Sequence, residues 1–474
     1  MREALKRLTA ESLVYGLGQV SGRAVQLLLV PILTRVLTRD VYGVADLVLA
    51  YSQFAVLVLV FGMDGALVRF FYQEPDRDAR RRMVSSSLAF RLATGLLVAA
   101  ALAALAGPLS GLLVGSEAYR KYVLLGAATL PFTLVVLLAN DVLRVTFQPG
   151  KFIALNLTLT LVTATASYVL VVDRGLGVVG VLYGKLLGDA AGALVGLALI
   201  RHSFTTRLDG AVLRRMLRFG LPLVGAAVGY GIVTAADRFF LQRDRGLADV
   251  GVYAVALKFF AVVMMAVSAF SLAFFPFAHA RAADPGAPRL YARVFGLYVA
   301  TASLLALLAG LFAPEALAIL VPPEYHGAAL PAALLVFAAV AYGAYYVACL
   351  GIQLALRTAW LAWTAAAAAL ASIALNALLV RPYGVAGAAA ATLGANVALA
   401  VLTFAASQRV HPLPYRGVRL LLVFAVAVAL AAAGQGWAAP GIAGVATKLG
   451  LVVVFGAVVA ALGVARDRGA IRGG

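Results

Sequence analysis

Charge, cysteine and histidine are all scarce in this chain. Only 12% of its 474 residues are Asp, Glu, Lys or Arg, 63% are apolar, and the mean hydropathy is +0.97. Soluble domains are roughly half apolar and about a quarter charged, so a soluble globular fold is excluded and the solvent is lipid. One cysteine, Cys349, excludes an intrachain disulfide. The four histidines, His202, His279, His326 and His411, fall in loops without ligand spacing. A metal centre is therefore not expected. Neither a GxxxxGK[ST] loop nor a Ser/His/Asp constellation occurs, which leaves no nucleotide cofactor and no catalytic nucleophile. The longest gaps between apolar stretches, 64–82, 201–217 and 276–290, are each under twenty residues. None can bury a core, so a soluble catalytic domain is excluded and the chain is expected to be a transporter rather than an enzyme.

What fills the chain instead is a series of fourteen apolar stretches at 12–34, 41–63, 83–106, 122–143, 152–172, 178–200, 218–238, 250–275, 291–313, 329–353, 359–380, 385–406, 419–434 and 447–465. Crossing about 30 Å of hydrocarbon takes about 20 apolar residues. The expected fold is an all-α polytopic membrane protein of about fourteen transmembrane helices. The basic start lacks a small-residue cleavage site, so the first stretch is read as a retained span. The net charge of +19 is unevenly placed: with a cytoplasmic N-terminus, inner segments hold 25 Lys and Arg and outer segments 9. That bias assigns both termini to the cytoplasm and accounts for the basic balance without nucleic acid.

The chain also matches itself at long range. Asp40-Val41-Tyr42-Gly43-Val44-Ala45 pairs with Ala248-Asp249-Val250-Gly251-Val252-Tyr253-Ala254, with Gly43 and Gly251 208 positions apart. Arg174-Gly175-Leu176-Gly177-Val178-Val179-Gly180 pairs with Arg381-Pro382-Tyr383-Gly384-Val385-Ala386-Gly387 at an offset of 207. Each match joins stretches six apart, and six is even, so the halves run parallel. The expected organisation is a six-helix bundle over 1–200, a basic amphipathic interfacial linker over 201–217, a second six-helix bundle over 218–406, and two further helices with a tail over 407–474. Parallel six-span repeats are an alternating-access layout with the substrate site between the bundles.

Ionisable groups inside the stretches are the candidate functional residues. Arg23, Arg91, Lys185 and Lys258 lie about 10–16 Å from a span end at about 1.5 Å per residue. Facing lipid, each costs about 2.5–3.5 kcal/mol, which four together raise to the scale of a domain's stability. They are therefore expected to face a hydrated cavity or a partner. Lys185 and Asp189 stand at i and i+4 and can pair; Asp46 can reach Arg23; Asp141 with Arg144 and Asp237 with Arg238 sit at span ends. A cationic cavity selects an anion, and arginine suits phosphate. Energy would come from an ion gradient, the membrane potential or the substrate gradient, with Asp46 and Asp189 as candidate coupling carboxylates.

The block Gly22-Arg23 followed by Pro31-Ile32-Leu33-Thr34-Arg35-Val36-Leu37-Thr38-Arg39-Asp40-Val41-Tyr42-Gly43 resembles the polysaccharide-unit (Wzx-type, O-antigen) flippases of the multidrug/oligosaccharidyl-lipid/polysaccharide exporter superfamily. So do Ala236-Asp237-Arg238-Phe239-Phe240-Leu241, Val250 to Ala254 with Lys258 behind it, and Pro322-Pro323-Glu324-Tyr325. The resemblance implies a bacterial inner-membrane protein that moves an undecaprenyl-diphosphate-linked oligosaccharide to the periplasmic leaflet. By that analogy Arg23, Arg91, Lys185 and Lys258 hold diphosphate and sugar, and the last two spans guide the lipid tail. Its implied partners are the lipid-linked anionic glycan, membrane lipids, and the glycosyltransferases and glycan polymerase of one pathway. The second stretch offers Asp46 and no arginine, which argues against a lipid II flippase. An excess of cations argues against a drug/cation antiporter, and the short outer loops argue against a membrane glycosyl polymerase.

Overall fold

The computed structural model describes residues 27–463 apart from Leu28, Ala283, Leu356, Thr358 and 437–441. Among the described residues every regular element is helical and no strand occurs. Backbone N–H and C=O groups in hydrocarbon must be satisfied within the segment, and a helix does this with any apolar sequence. Eleven described helical segments are long and apolar enough to cross a membrane. Of the expected stretches, 12–34 falls largely outside the described residues, and 218–238 lies within a longer helix interrupted by charge.

Two compact units divide between Gly251 and Val252. The first contains α1 (Arg39–Leu59), α2 (Met63–Gln73), α3 (Arg77–Ala104), α4 (Ala106–Val114), α5 (Arg120–Val145), α6 (Pro149–Tyr168), α7 (Gly177–Leu199) and α8 (Gly210–Asp244). Helix α9 (Leu247–Ala280) starts in the first unit and continues into the second. The second unit adds α10 (Ala287–Leu311), α11 (Ala313–Leu320), α12 (Ala329–Leu354), α13 (Ala359–Val410), α14 (Gly417–Gly436) and α15 (Ile442–Leu462). The element order repeats at the spacing of the sequence matches. A long helix, a one-residue break and a short helix recur, the short ones starting at Ala106 and Ala313, 207 positions apart.

Helix α13 is continuous through Arg381-Pro382-Tyr383 but takes φ 54°, ψ −129° at Gly384, so it is two span-length arms meeting at a glycine. That break coincides with the boundary drawn from sequence. The second stretch behaves differently. Helix α1 stops at Leu59, Phe61 and Gly62 take positive φ (50° and 62°), and the chain resumes as α2 to Gln73. Gly220 of α8 is responsible for part of this: a Cβ on Gly62 would stand 2.5 Å from the Gly220 carbonyl oxygen. Gly62→Ala therefore meets both left-handed strain and a backbone clash. A loss of about 2 kcal/mol, read as a lowered Tm of the purified protein, is expected.

The segment 201–217 is not the single amphipathic helix that its pattern suggests. Arg201–Ser203 form one 3-10 turn, residues 204–209 are non-helical, and α8 begins at Gly210. Two serines of α3 explain the difference. Ser85 Oγ accepts the Thr205 N–H and Ser86 Oγ the Asp209 N–H, both at 2.9 Å, while Asp209 caps α8 through the N–H groups of Ala211 and Val212. The apolar side of the first turns does not lie free: Met216 is fully buried against Met63, Leu67 and Phe70. The contact boundary also falls after Gly251 rather than at this linker, and α8 packs on α1, α2 and α3.

Packing in the first unit uses glycine where helices come closest. Gly180, Gly184, Gly188, Gly192 and Gly196 recur every fourth residue on α7; Gly184 and Gly188 face α6, Gly192 and Gly196 face α5 and α6, and Gly180 meets Leu170 and Val171 just after α6. A Cβ on Gly188 would stand 1.8 Å from Thr163 Oγ1, and one on Gly184 2.0 Å from Ser167 Oγ. Lipid offers no hydrophobic drive between helices, so close backbone approach holds the pair together. This contact fixes α7, and with it Lys185 and Asp189, against α5 and α6.

Candidate functional site: charged groups within the helices

Arg23 lies outside the described residues. Its expected pairing with Asp46 therefore lies outside the described residues; Asp46 accepts from Arg238 of α8, Nε to Oδ2 at 2.8 Å. The same guanidinium donates through Nη1 to the Thr234 carbonyl at 2.8 Å and approaches Asp237 Oδ1 at 3.5 Å. Asp237 is 1% exposed, so it is not the solvated span-end group that its position in the stretch suggests. Two carboxylates thus share one arginine inside the first unit. Tyr51 lies within electrostatic range of this group, and its enclosed hydroxyl has no hydrogen-bond partner among the described residues.

Arg91 is fully buried in α3 and is paired rather than open to a cavity. Its Nη2 donates to Asp141 Oδ2 of α5 at 2.9 Å, and the other carboxylate oxygen takes Arg144. Arg91 Nε and Nη1 have no partner among the described residues. The sequence reading missed this pair because the residues are 50 apart, beyond any single-helix reach. Asp141 therefore compensates two cations, one enclosed and one half-exposed.

Lys185 and Asp189 form the i, i+4 ion pair that their spacing allows. Thr133 of α5 completes it by donating Oγ1 to Asp189 Oδ2 at 2.6 Å. The Asp189 side chain is 2% exposed and the lysine side chain 32%. Lys258 in α9 is half-buried and makes no ion pair or hydrogen bond among the described residues. Lys448 of α15 is buried: it pairs with Glu315 and stands 5.4 Å from the Phe312 ring. Polar amides mostly serve packing; Asn156 donates to Asn140 across α5 and α6 at 2.8 Å.

The pairs at Asp141, Asp189 and Arg238 are largely neutralised, which is how charge becomes tolerable at membrane depth. Among the described residues Lys258 has no ion pair, and Lys185 keeps about a third of its side chain exposed beside Asp189. No group of three or more His, Cys, Asp or Glu with metal-holding geometry occurs among the described residues.

Among the described residues, span-length helices without strands, repeated in element order and carrying ion-paired charge, define a polytopic helical membrane fold. Solved transporters share it. The chain superimposes on the lipid II flippase MurJ in its inward closed conformation with a TM-score of 0.72 over 94% of this chain and 98% of that one, at 11% identity. An inward-facing multidrug resistance MATE family transporter of the MOP superfamily gives 0.61 over 85% and 93%, at 15% identity. The Vibrio cholerae MATE transporter VcmN in its bent form gives 0.57 over 86% and 96%, at 16% identity.

The chain belongs to the polysaccharide biosynthesis protein family, whose pattern matches residues 8–280. It is also 24% identical over 272 residues to the Lsg locus putative protein 1 of Haemophilus influenzae, covering 56% of this chain and 65% of that relative's length.

Proposed function

We propose that this protein is a flippase that moves an undecaprenyl-diphosphate-linked oligosaccharide across the bacterial inner membrane by alternating access, with both termini cytoplasmic. The observation that carries the reading is Lys258. Among the described residues it has no counter-ion, and an ammonium facing lipid at membrane depth costs about 2.5–3.5 kcal/mol, a cost that a bound diphosphate offsets. Lys185, partly exposed beside its Asp189 partner, and Arg23 are the further proposed headgroup contacts. Arg91 leaves this set: buried against Asp141, it holds α3 to α5.

An apolar cavity in the second unit suits the lipid portion. It measures about 490 Å³ and is walled by Phe295, Val340, Val401, Phe404, Leu421 and Phe424. These residues come from α10, α12, α13 and α14, so a polyprenyl chain would be received by more than the last two spans. Asp46 and Asp189 are the proposed coupling carboxylates. Each already shares its charge with a basic partner, so protonation or sodium binding would release Arg238 or Lys185.

Glycosyltransferases would supply this substrate and a glycan polymerase would consume it. Deleting the gene in its host tests the reading: lipid-linked units should accumulate on the cytoplasmic leaflet while surface glycan is lost. Unchanged surface glycan, or loss of drug resistance in its place, would favour the antiporter reading.

A further inference from the structure

The first unit contains a second concave site, far in sequence from Lys258. It lies where three turns converge: α2 to α3, α5 to α6, and α7 to α8. The cavity measures about 580 Å³. Arg77, Arg80, Arg81 and His202 line it, and among its described lining residues none is Asp or Glu. Gln148 and Ser203 add neutral hydrogen-bonding groups. The charge count assigns all three turns to the cytoplasmic face.

The arginines are held in different ways. Arg80 is fixed, its Nε donating to the Glu74 carbonyl at 2.6 Å and its guanidinium lying 4.9 Å from the Phe71 ring centre. Arg81 Nε donates to the His202 carbonyl at 3.1 Å, which ties two of the turns together, and its Nη1 lies 3.6 Å from Oδ1 of the exposed Asp78. Arg77 is exposed and makes no hydrogen bond or ion pair among the described residues. The neighbouring acid Asp76 is already engaged: it accepts the N–H groups of Asp78 and Ala79, which hold its carboxyl below the usual range, and Arg82 assists.

Phe147 is the second, independent observation. It takes φ 53° at the end of α5, a left-handed conformation that glycine adopts freely and a phenylalanine does not. Its ring is 50% exposed and stands 6.3 Å from the ring of Tyr72, itself 52% exposed. Helix termination here needs no aromatic ring, and strain of this kind gathers at ligand sites. Arginines beside exposed aromatic rings at a membrane surface suit a phosphate whose attached chain enters the lipid.

We propose that this cavity binds the phosphate ester of an anionic phospholipid headgroup in the cytoplasmic leaflet. Arg77 and Arg81 hold the phosphate oxygens, and Tyr72 and Phe147 pack beside the glycerol. The site does not rest on the transport reading, and its test is binding rather than translocation.

Lipid retention by the purified full-length protein, followed by native mass spectrometry, provides that test. Phosphatidylglycerol should be retained over phosphatidylcholine, and Arg77→Gln/Arg81→Gln should weaken that retention about tenfold or more. The Arg289→Gln/Arg293→Gln pair removes the same charge from exposed positions in α10 and should change nothing. Arg77→Gln alone disturbs no contact, so its smaller loss cannot be blamed on folding. Phe147→Gly relieves the positive φ; it should keep or raise Tm while lowering lipid retention. Competition by glycerol 3-phosphate would show that the phosphate ester suffices without its acyl chains, and failure to compete would show that the lipid itself is required. No preference for phosphatidylglycerol, or equal losses in the α10 control, would overturn the proposal.

Discussion

Asp141→Ala should be among the most destabilising single substitutions in this chain. Arg91 is fully buried and its sole hydrogen bond among the described residues goes to Asp141 at 2.9 Å. Arg144 loses its partner at the same time. Removing one member of a buried pair costs about 3–5 kcal/mol because a charge is left uncompensated, a large share of a typical total of about 5–15 kcal/mol. The expected result is a steep drop in Tm and in the yield of monodisperse protein. Arg91→Met/Asp141→Leu removes both charges together and should recover most of that loss, since apolar groups of similar volume replace buried pairs with little penalty. A single Asp141→Ala variant as stable as the parent would show that the pair holds nothing together.

Lys258→Ala should have the opposite profile. With no partner among the described residues, the ammonium contributes nothing that its removal would break, and a cation is taken out of the membrane. Tm is expected to stay level or rise while transport falls by at least about tenfold, the loss of one charge-assisted contact to phosphate. Lys258→Arg keeps the charge but replaces a compact ammonium with a planar fork, so partial activity is expected. Normal surface-glycan output from Lys258→Ala at equal expression would remove Lys258 from the headgroup site.

Element positions were legible in the sequence because lipid imposes one rule on every spanning segment. The break at Gly384 showed itself through Arg381-Pro382-Tyr383-Gly384, whose residue types stop a helix. The break at Phe61 and Gly62 did not, because the backbone that approaches it, at Gly220, is remote in sequence. Ion pairs divide in the same way. Lys185 and Asp189 share one helix and follow from their spacing. Arg91 with Asp141 and Arg238 with Asp46 lie on different helices, 50 and 192 residues apart, and no local pattern joins them. The 201–217 segment misled because its amphipathic pattern is real, yet Ser85 and Ser86 capture its backbone N–H groups and Asp209 restarts the helix. The glycine ladder from Gly180 to Gly196 was readable in principle, since a four-residue recurrence of glycine in an apolar helix marks close packing.

The most direct test of the central claim is translocation by the purified protein in liposomes. A fluorescent undecaprenyl-diphosphate-linked oligosaccharide would be incorporated, and its exposure to a membrane-impermeant quencher followed over time. The account predicts protein-dependent movement between leaflets that Lys258→Ala abolishes and Lys258→Arg partly restores. Movement at the same rate in protein-free and protein-containing liposomes, or in wild type and Lys258→Ala alike, would contradict it.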